Sequence, residues 1–349
     1  MPHRIENTLT EVMNYAKSIG FGQLHCKIDA QTGLLAFIAI HNTKRGPALG
    51  GCRYLPYEDM AAGVKDALRL ARGMSLKAVM AGIPYGGGKS VLIKPDQVPD
   101  REAYFKSFGR FVDEFNGRYI TAIDSGTSRQ DMDIIATQTP HVTSTSDHAD
   151  PSFYTAYGVL VAMKAAVRFT FKRENLKGLH VAIQGTGHVG YLLAKDLYEE
   201  GAKLTVSDVS AVSAQRCAQE FGATIVSPEA IYSVECDVFA PCALGGILNE
   251  ETLPQLKAKL VVGSANNQLA DDAQGVALHR RGIVYVPDYL ANAGGLICVV
   301  CEHEKKDLAI NLSLVEKISQ RTYDLLTRAQ KIDRATSTLC DELALAELV

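Results

Sequence analysis

The sequence predicts an α/β fold built as two domains, the second organised on a doubly wound parallel sheet. Three observations carry this. At 349 residues the chain is long enough for two domains, each with its own core. From Leu179 onward, short apolar runs alternate with segments of helical period, the rhythm of βαβ units. Between Thr139 and Phe153 that periodicity lapses, and Thr143 to Ser152 is crowded with turn-forming residues. The boundary is therefore set at residue 150, giving domains of 1–150 and 151–324. A helical tail over about 325–349 is expected to pack back on the first domain.

Composition narrows the function classes. Apolar residues at 47% and charged residues at 21% are those of an ordinary globular protein. A net charge of −3 gives no electrostatic case for nucleic acid or a membrane surface as partner. No apolar run approaches the ~20 residues of a membrane span, and Met1 to Glu6 lacks the apolar core of a signal peptide. Eight scattered cysteines without a compact disulfide framework fit a reducing cytoplasm, the expected location. Cys298-Val299-Val300-Cys301-Glu302-His303 has no second ligand pair of the kind a zinc site needs, so it reads as two buried helix-face thiols and no metal is expected.

In chain order, Glu6 to Ser18 reads as a helix and Leu34 to Ile40 as an apolar strand. Gly46-Pro47-Ala48-Leu49-Gly50-Gly51-Cys52-Arg53 follows; alone, its Gly50-Gly51 pair reads as a strand bend. Glu58 to Ala81 has helical spacing at Ala61, Val64, Leu68 and Ala71, with an interruption expected near Gly73. Ser90 to Ile93 reads as a buried strand, and Arg101 to Phe115 as a helix packing an aromatic stripe of Tyr104, Phe108, Phe111 and Phe115. Tyr119 to Ile123 is another strand and ends at Asp124.

The chemistry of the first domain gathers around Gly86-Gly87-Gly88-Lys89. Three consecutive glycines have a high conformational entropy cost and suit a backbone that must approach something closely. They lead to Lys89, with Lys77 twelve residues upstream in Gly73-Met74-Ser75-Leu76-Lys77 and Asp124 downstream. Two lysines and an aspartate at the edges of apolar segments form a site for a small zwitterion. The phosphate-cradling alternative fails on spacing, because its first glycine falls on Ile83 and a helix rather than a strand precedes it.

The second domain opens with a long helix, Thr155 to Phe171, expected to connect the two, and then a strand, Leu179 to Gln184. Gly185-Thr186-Gly187-His188-Val189-Gly190 comes next, then a helix and a strand from Lys203 to Ser207. Asp208 lies 18 positions past the last glycine, close to the roughly 20 of a Rossmann-type dinucleotide site. The glycines admit the pyrophosphate to a helix N-terminus. Asp208 would accept the ribose hydroxyls and repel a 2′-phosphate, and no arginine follows it, so NAD is favoured over NADP. Pro241-Cys242-Ala243-Leu244-Gly245-Gly246, Ser264-Ala265-Asn266-Asn267-Gln268 and Asn292-Ala293-Gly294-Gly295 fall beyond the carboxyl ends of later strands, where ligands bind in such sheets.

Laid end to end, these stretches resemble the Glu/Leu/Phe/Val dehydrogenase family over about residues 35 to 330. The resemblance rests on Gly-Pro-Ala-Leu-Gly-Gly, Gly-Met-Ser-Leu-Lys, Gly-Gly-Gly-Lys, Thr155-Ala156-Tyr157-Gly158-Val159, Ala240 to Gly246 and Asn-Asn-Gln-Leu, in that order. It is nearer the leucine and phenylalanine enzymes than the longer glutamate enzymes. It implies NAD-dependent, reversible deamination of an L-amino acid to a 2-oxo acid and ammonia, in a cleft between the domains, and a homo-oligomer. It also implies roles: Lys77 for the substrate carboxylate, with backbone at Gly50 and Gly51 and the neighbouring Met74; Lys89 as the base that activates water; Asp124 for proton exchange with the amino group. Thr155, Ala240, Pro241, Cys242, Asn266 and Asn267 would position nicotinamide and substrate. Leu49, Ala122, Leu296 and Val299 would line an apolar side-chain pocket, favouring leucine, valine or isoleucine over glutamate, with phenylalanine or tryptophan as the alternative. Where many leucine-type members have Asp-Val-Gly-Thr, this chain has Asp124-Ser125-Gly126-Thr127. A reading from another class is a catalytically inactive NAD-binding regulatory protein; the retained Lys77, Lys89 and Asp124 argue against it. Lys89 as a base requires a lowered pKa, which burial and a neighbouring cation such as Lys77 would supply.

Overall fold

The computed structural model describes residues 2–96, 100–147 and 150–349. The chain divides into two compact units. The first takes Met1–Ala149 with Glu302–Glu304 and Glu347–Val349, and the second takes Asp150–Cys301 with Lys305–Ala346.

The first unit runs α1 (Pro2–Ser18), β1 (Gln23–Asp29), β2 (Leu34–Asn42), β3 (Ala48–Leu55), α2 (Met60–Ala81), β4 (Gly86–Ile93), α3 (Arg101–Asp113), β5 (Tyr119–Ile123) and α4 (Arg129–Ala136). Its strands form one mixed sheet in the order β1-β2-β4-β3-β5, with β4, β3 and β5 mutually parallel and β1 and β2 antiparallel to their neighbours. Strand alternation sorts the side chains. Ile38, Ile40, Cys52 and Tyr54 join Tyr104, Phe105, Phe108 and Phe111 of α3 in one apolar cluster. Phe37, Ala39 and Val91 pack instead with Val64, Leu68 and Ala71 of α2. The expected aromatic stripe is therefore core.

Two features differ from expectation. Strand β4 begins at Gly86 rather than at Ser90, so the glycine triplet lies within it and its value is in packing. A Cβ on Gly87 would lie 2.1 Å from Ser75 N on α2, and one on Gly88 would lie 2.8 Å from the Tyr119 ring. Side chains there would push α2 and β5 off the sheet. Helix α2 also runs unbroken through Gly73, from the Asp59 N-cap to the left-handed Gly82. One glycine costs a helix only about 1 kcal/mol, less than the packing of ten buried α2 residues returns.

The second unit holds α5 (Pro151–Phe171), β6 (His180–Gln184), α6 (His188–Glu199), β7 (Lys203–Ser207), α7 (Ala211–Phe221), β8 (Thr224–Ile225), β9 (Val238–Pro241), β10 (Leu260–Val261), α8 (Asp272–Arg280), β11 (Val284–Tyr285), α9 (Asp288–Ala291), most of α10 (Gly294–His303), α11 (Leu308–Lys331) and α12 (Thr336–Ala346). All six strands are parallel in the order β8-β7-β6-β9-β10-β11, so the direction of winding reverses between β6 and β9. The long helix α5 lies wholly in this unit. The tail departs from expectation: α11 packs on α5, and α12 on α8 and β11, so only Glu347–Val349 belong to the first unit. The buried stripe of α11, including Val315, Ile318, Leu325 and Leu326, already has a partner in the second unit.

Candidate active site

In the first unit, parallel pairing sets Gly51 of β3 opposite Ala122 of β5, and Cys52 opposite both Ile123 and Ser90. Lys89 thereby stands level with Gly51 and Ala122, two residues before Asp124. The side chains of Lys89 and Asp124 form an ion pair between Nζ and Oδ2, with Lys89 buried. Gly51 makes room for them: a Cβ there would lie 2.7 Å from Asp124 Cβ and 3.1 Å from Lys89 Nζ. At Gly50 a Cβ would lie 1.7 Å from Gly88 O, while its own carbonyl accepts the Tyr119 hydroxyl at 2.9 Å. The two glycines are thus parts of a regular strand, and the space above Gly51 belongs to the lysine and the aspartate.

Asp124 is held on both oxygens. Its Oδ1 accepts the Ser125 N–H at 2.7 Å and the Ser125 hydroxyl at 3.3 Å, while Arg53 Nε lies 3.4 Å from Oδ2. Burial works against the charged form, but Lys89 and Arg53 together hold the carboxyl well below the usual carboxylate range. Arg53 also donates from Nη1 to Asp66 Oδ2 on α2 at 2.8 Å. Nothing in the sequence singled out Arg53; the available signal was its place two residues past Gly51, on the same face of β3.

Lys77 and Met74 sit half-buried on α2, the helix that covers the face of β4 carrying Lys89 and Val91. Leu49 and Ala122 are buried on β3 and β5. Leu296 and Val299 are buried on α10 in the second unit, as are Cys298 and Cys301, neither of which is in a disulfide.

The second unit has the features a dinucleotide requires. Gly185 has φ +95°, a conformation suited to glycine, and a Cβ on Gly190 would lie 2.0 Å from Gly185 O, so the turn closes tightly against α6. Gly187 caps α6 with no side-chain bond and faces open space, leaving the helix N-terminus free for an anion. His188 is exposed and Val189 half-buried on the first turn of α6. Asp208 sits at the end of β7, where Oδ2 accepts the Thr186 N–H at 2.6 Å and Oδ1 accepts the Ser210 N–H at 2.8 Å.

At the far side of the switch point, Ala240 and Pro241 end β9, with Cys242 next. Thr155 of α5 lies against Gly295, whose Cβ would come within 2.4 Å of its hydroxyl. Asn266 and Asn267 are exposed beyond β10, and Asn267 has a left-handed backbone with its N–H on Asp288 Oδ2 at 2.5 Å. Asn292, from the third of the stretches noted beyond the strand ends, had been given no role by the sequence. It is buried, and its Nδ2 donates to Ser264 O at 3.0 Å and Asn266 Oδ1 at 2.9 Å, fixing the side chain of Asn266.

Residues 21–141 match the family described as Glu/Leu/Phe/Val dehydrogenase, dimerisation domain, and residues 150–216 and 211–335 match Glutamate/Leucine/Phenylalanine/Valine dehydrogenase. The chain belongs to the Glu/Leu/Phe/Val dehydrogenase family. Leucine dehydrogenase of Bacillus cereus is 46% identical to it over 342 residues, covering 96% of this chain and 92% of that one. Phenylalanine dehydrogenase of Bacillus thermotolerans is 41% identical over 93% of this chain and 85% of its own length. The crystal structure of L-tryptophan dehydrogenase from Nostoc punctiforme superimposes with a TM-score of 0.86 at 39% identity, covering 96% of this chain and 98% of that one. This family member is accordingly an amino acid dehydrogenase, an oxidoreductase that depends on a pyridine nucleotide. No described helix is long and apolar enough to cross a membrane.

Proposed function

We propose that this dehydrogenase deaminates branched aliphatic L-amino acids, leucine, valine or isoleucine, with NAD, and runs the reverse amination. The observation that carries the chemistry is the buried Lys89–Asp124 pair over the bare backbone of Gly51. Lys77 takes the substrate carboxylate, and the backbone at Gly50 and Gly51 lets the Cα region come close. Bound nicotinamide supplies the hydride acceptor. Lys89 then takes a proton from the water that attacks the imine carbon, and Asp124 passes protons to and from the departing nitrogen.

NAD is favoured because Asp208 presents a carboxylate where a 2′-phosphate would fall, and Val209 and Ser210 after it bring no cation. Its pyrophosphate would lie at Gly185–Gly190, and its nicotinamide near Thr155, Ala240, Pro241, Cys242 and Asn266, with Asn267 toward the substrate. Ala122 and Leu49 beside the pair, and Leu296 and Val299 on α10, are apolar and offer no partner for a second carboxylate. The full-length similarity to leucine dehydrogenases supports the aliphatic reading. A ring substrate is the second reading, supported by the tryptophan and phenylalanine dehydrogenases that also match. A homo-oligomer is proposed on the family's pattern, as is a cytoplasmic location.

Initial rates of nucleotide reduction with a panel of L-amino acids test this. Leucine, valine and isoleucine should give the highest kcat/KM, with glutamate inactive and NADP a poor substitute for NAD. Apolar pockets separate side chains differing by one methylene only about 10- to 200-fold, so several aliphatic substrates should register. Fastest turnover with tryptophan or phenylalanine would transfer the assignment to the second reading.

A further inference from the structure

Arg53 lies behind the Lys89–Asp124 pair and, of the two carboxylates it pairs with, hydrogen-bonds only Asp66. Its Nη1 donates to Asp66 Oδ2 at 2.8 Å, and Asp66 is fixed in turn by Tyr57 OH and Arg69 Nη2, each at 2.9 Å. Arg53 Nε is buried with no hydrogen-bond partner, although it stands 3.4 Å from Asp124 Oδ2. That oxygen is occupied by Lys89 Nζ. A buried N–H without an acceptor is costly to keep, and here the unmet donor is beside the one oxygen that the lysine must leave in order to act.

We propose that Arg53 is the standing counter-ion of Asp124, a positioning residue that takes over Oδ2 when the Lys89 amine leaves it for the reacting atoms. The inference rests on the roles proposed above for Lys89 and Asp124. With Arg53 in place the carboxylate stays charged and aimed throughout, and the lysine is not bound to remain as its only cation. Asp66, anchored from two further sides, holds the guanidinium at that distance and draws off part of its charge.

The titratable groups whose charge couples to Asp124 are Lys89 on β4, Arg53 on the same face of β3, Tyr57 in the turn before α2, and Cys52 and Tyr119 from the other face of the sheet, with Asp66 on α2 behind Arg53. Helix α2 also carries Lys77, proposed to engage substrate. Burial pushes the Cys52 thiol and the Tyr57 and Tyr119 phenols up, so they stay neutral over the assay range. The charges that act on the pair are therefore Arg53 and, with opposite sign, Asp66.

Full-length Arg53→Gln, Arg53→Lys and Asp66→Asn proteins are compared with wild type by circular dichroism and by the pH profiles of kcat and kcat/KM, using L-leucine and NAD as probes. A cation beside a coupled acid–base pair disfavours its protonated form. Arg53→Gln should therefore move the acid limb of kcat/KM up by about 1 pH unit and cut kcat more than about tenfold, with KM for NAD unchanged. Arg53→Lys should restore the limb, and Asp66→Asn should move it the other way. A folded Arg53→Gln protein with the wild-type limb overturns the inference, and so does an Asp66→Asn limb that moves upward. Should Arg53→Gln fail to fold, the direction of the Asp66→Asn shift decides. Wild type that turns over no L-amino acid overturns the underlying reading and the inference with it; wild-type turnover with unmoved limbs overturns the inference alone.

Discussion

At the scale of single residues, charge placement rather than residue type distinguishes the groups proposed to act. Lys89 and Asp208 are unremarkable in composition, but each ends in a position prepared by glycines: Gly51 above the lysine, and the Gly185–Gly190 turn before the aspartate. Replacing Asp208 by alanine should weaken NAD about 10- to 100-fold, the worth of hydrogen bonds to a charged group. Fluorescence titration of the reduced nucleotide measures this, and unchanged affinity would remove the ribose assignment. Lys89, Asp124 and the nucleotide loop were legible because each stands at a fixed spacing from glycines. Arg53 was not. Its partners Asp66 and Asp124 are 13 and 71 residues away in the chain, and only the packing of α2 on the sheet and the register of β3 with β5 bring them together. The stretch that holds Asn292 was noted, but its bond to Asn266 was not, since that bond joins two segments 26 residues apart.

At the scale of elements, glycine has two opposite meanings in this chain. In β4 the triplet lets α2, β3 and β5 close onto one strand, so that Lys89 projects from a strand held on three sides. A local reading saw the need for close approach but assigned it to a ligand, because packing neighbours such as Ser75, Tyr119 and Ala48, 12 to 40 residues away, leave no local trace. Gly73 is different. It sits within α2 with nothing within 4 Å of a built Cβ, so Gly73→Ala should stabilise the protein by about 0.5–1 kcal/mol. Thermal unfolding checks this, and a lowered Tm would mean that the open space at Gly73 is needed. The Rossmann-type half was legible nearly element by element, since its βαβ alternation is periodic. The tail was not, because an amphipathic helix such as α11 shows that it packs without showing on what.

At the scale of the whole molecule, the carboxylates tie stability to pH. Burial opposes the charged forms of Asp124, Asp66 and Asp131, but Lys89 with Arg53, Arg53 with Arg69, and Arg101 respectively hold each below its ordinary value. Groups depressed in the folded state contribute stability that is complete above the unfolded carboxylate value of about 4 and is lost as pH falls through the folded values. Asp196, raised by burial, acts in the opposite sense. Denaturant midpoints measured from pH 7 downward should therefore fall most steeply below about pH 4, after a smaller loss below about pH 6.5 from His41 and His25, whose values burial depresses; a midpoint that rises on acidification would show that the ion pairs do not form. The same Lys89–Asp124 pair is the one proposed to carry turnover, and one measurement addresses it directly. Steady-state kinetics of Lys89→Ala with L-leucine and NAD, alongside titration of the reduced nucleotide, should show kcat lowered at least about 1,000-fold with nucleotide affinity as in wild type. Turnover at the wild-type rate in that variant would contradict the account.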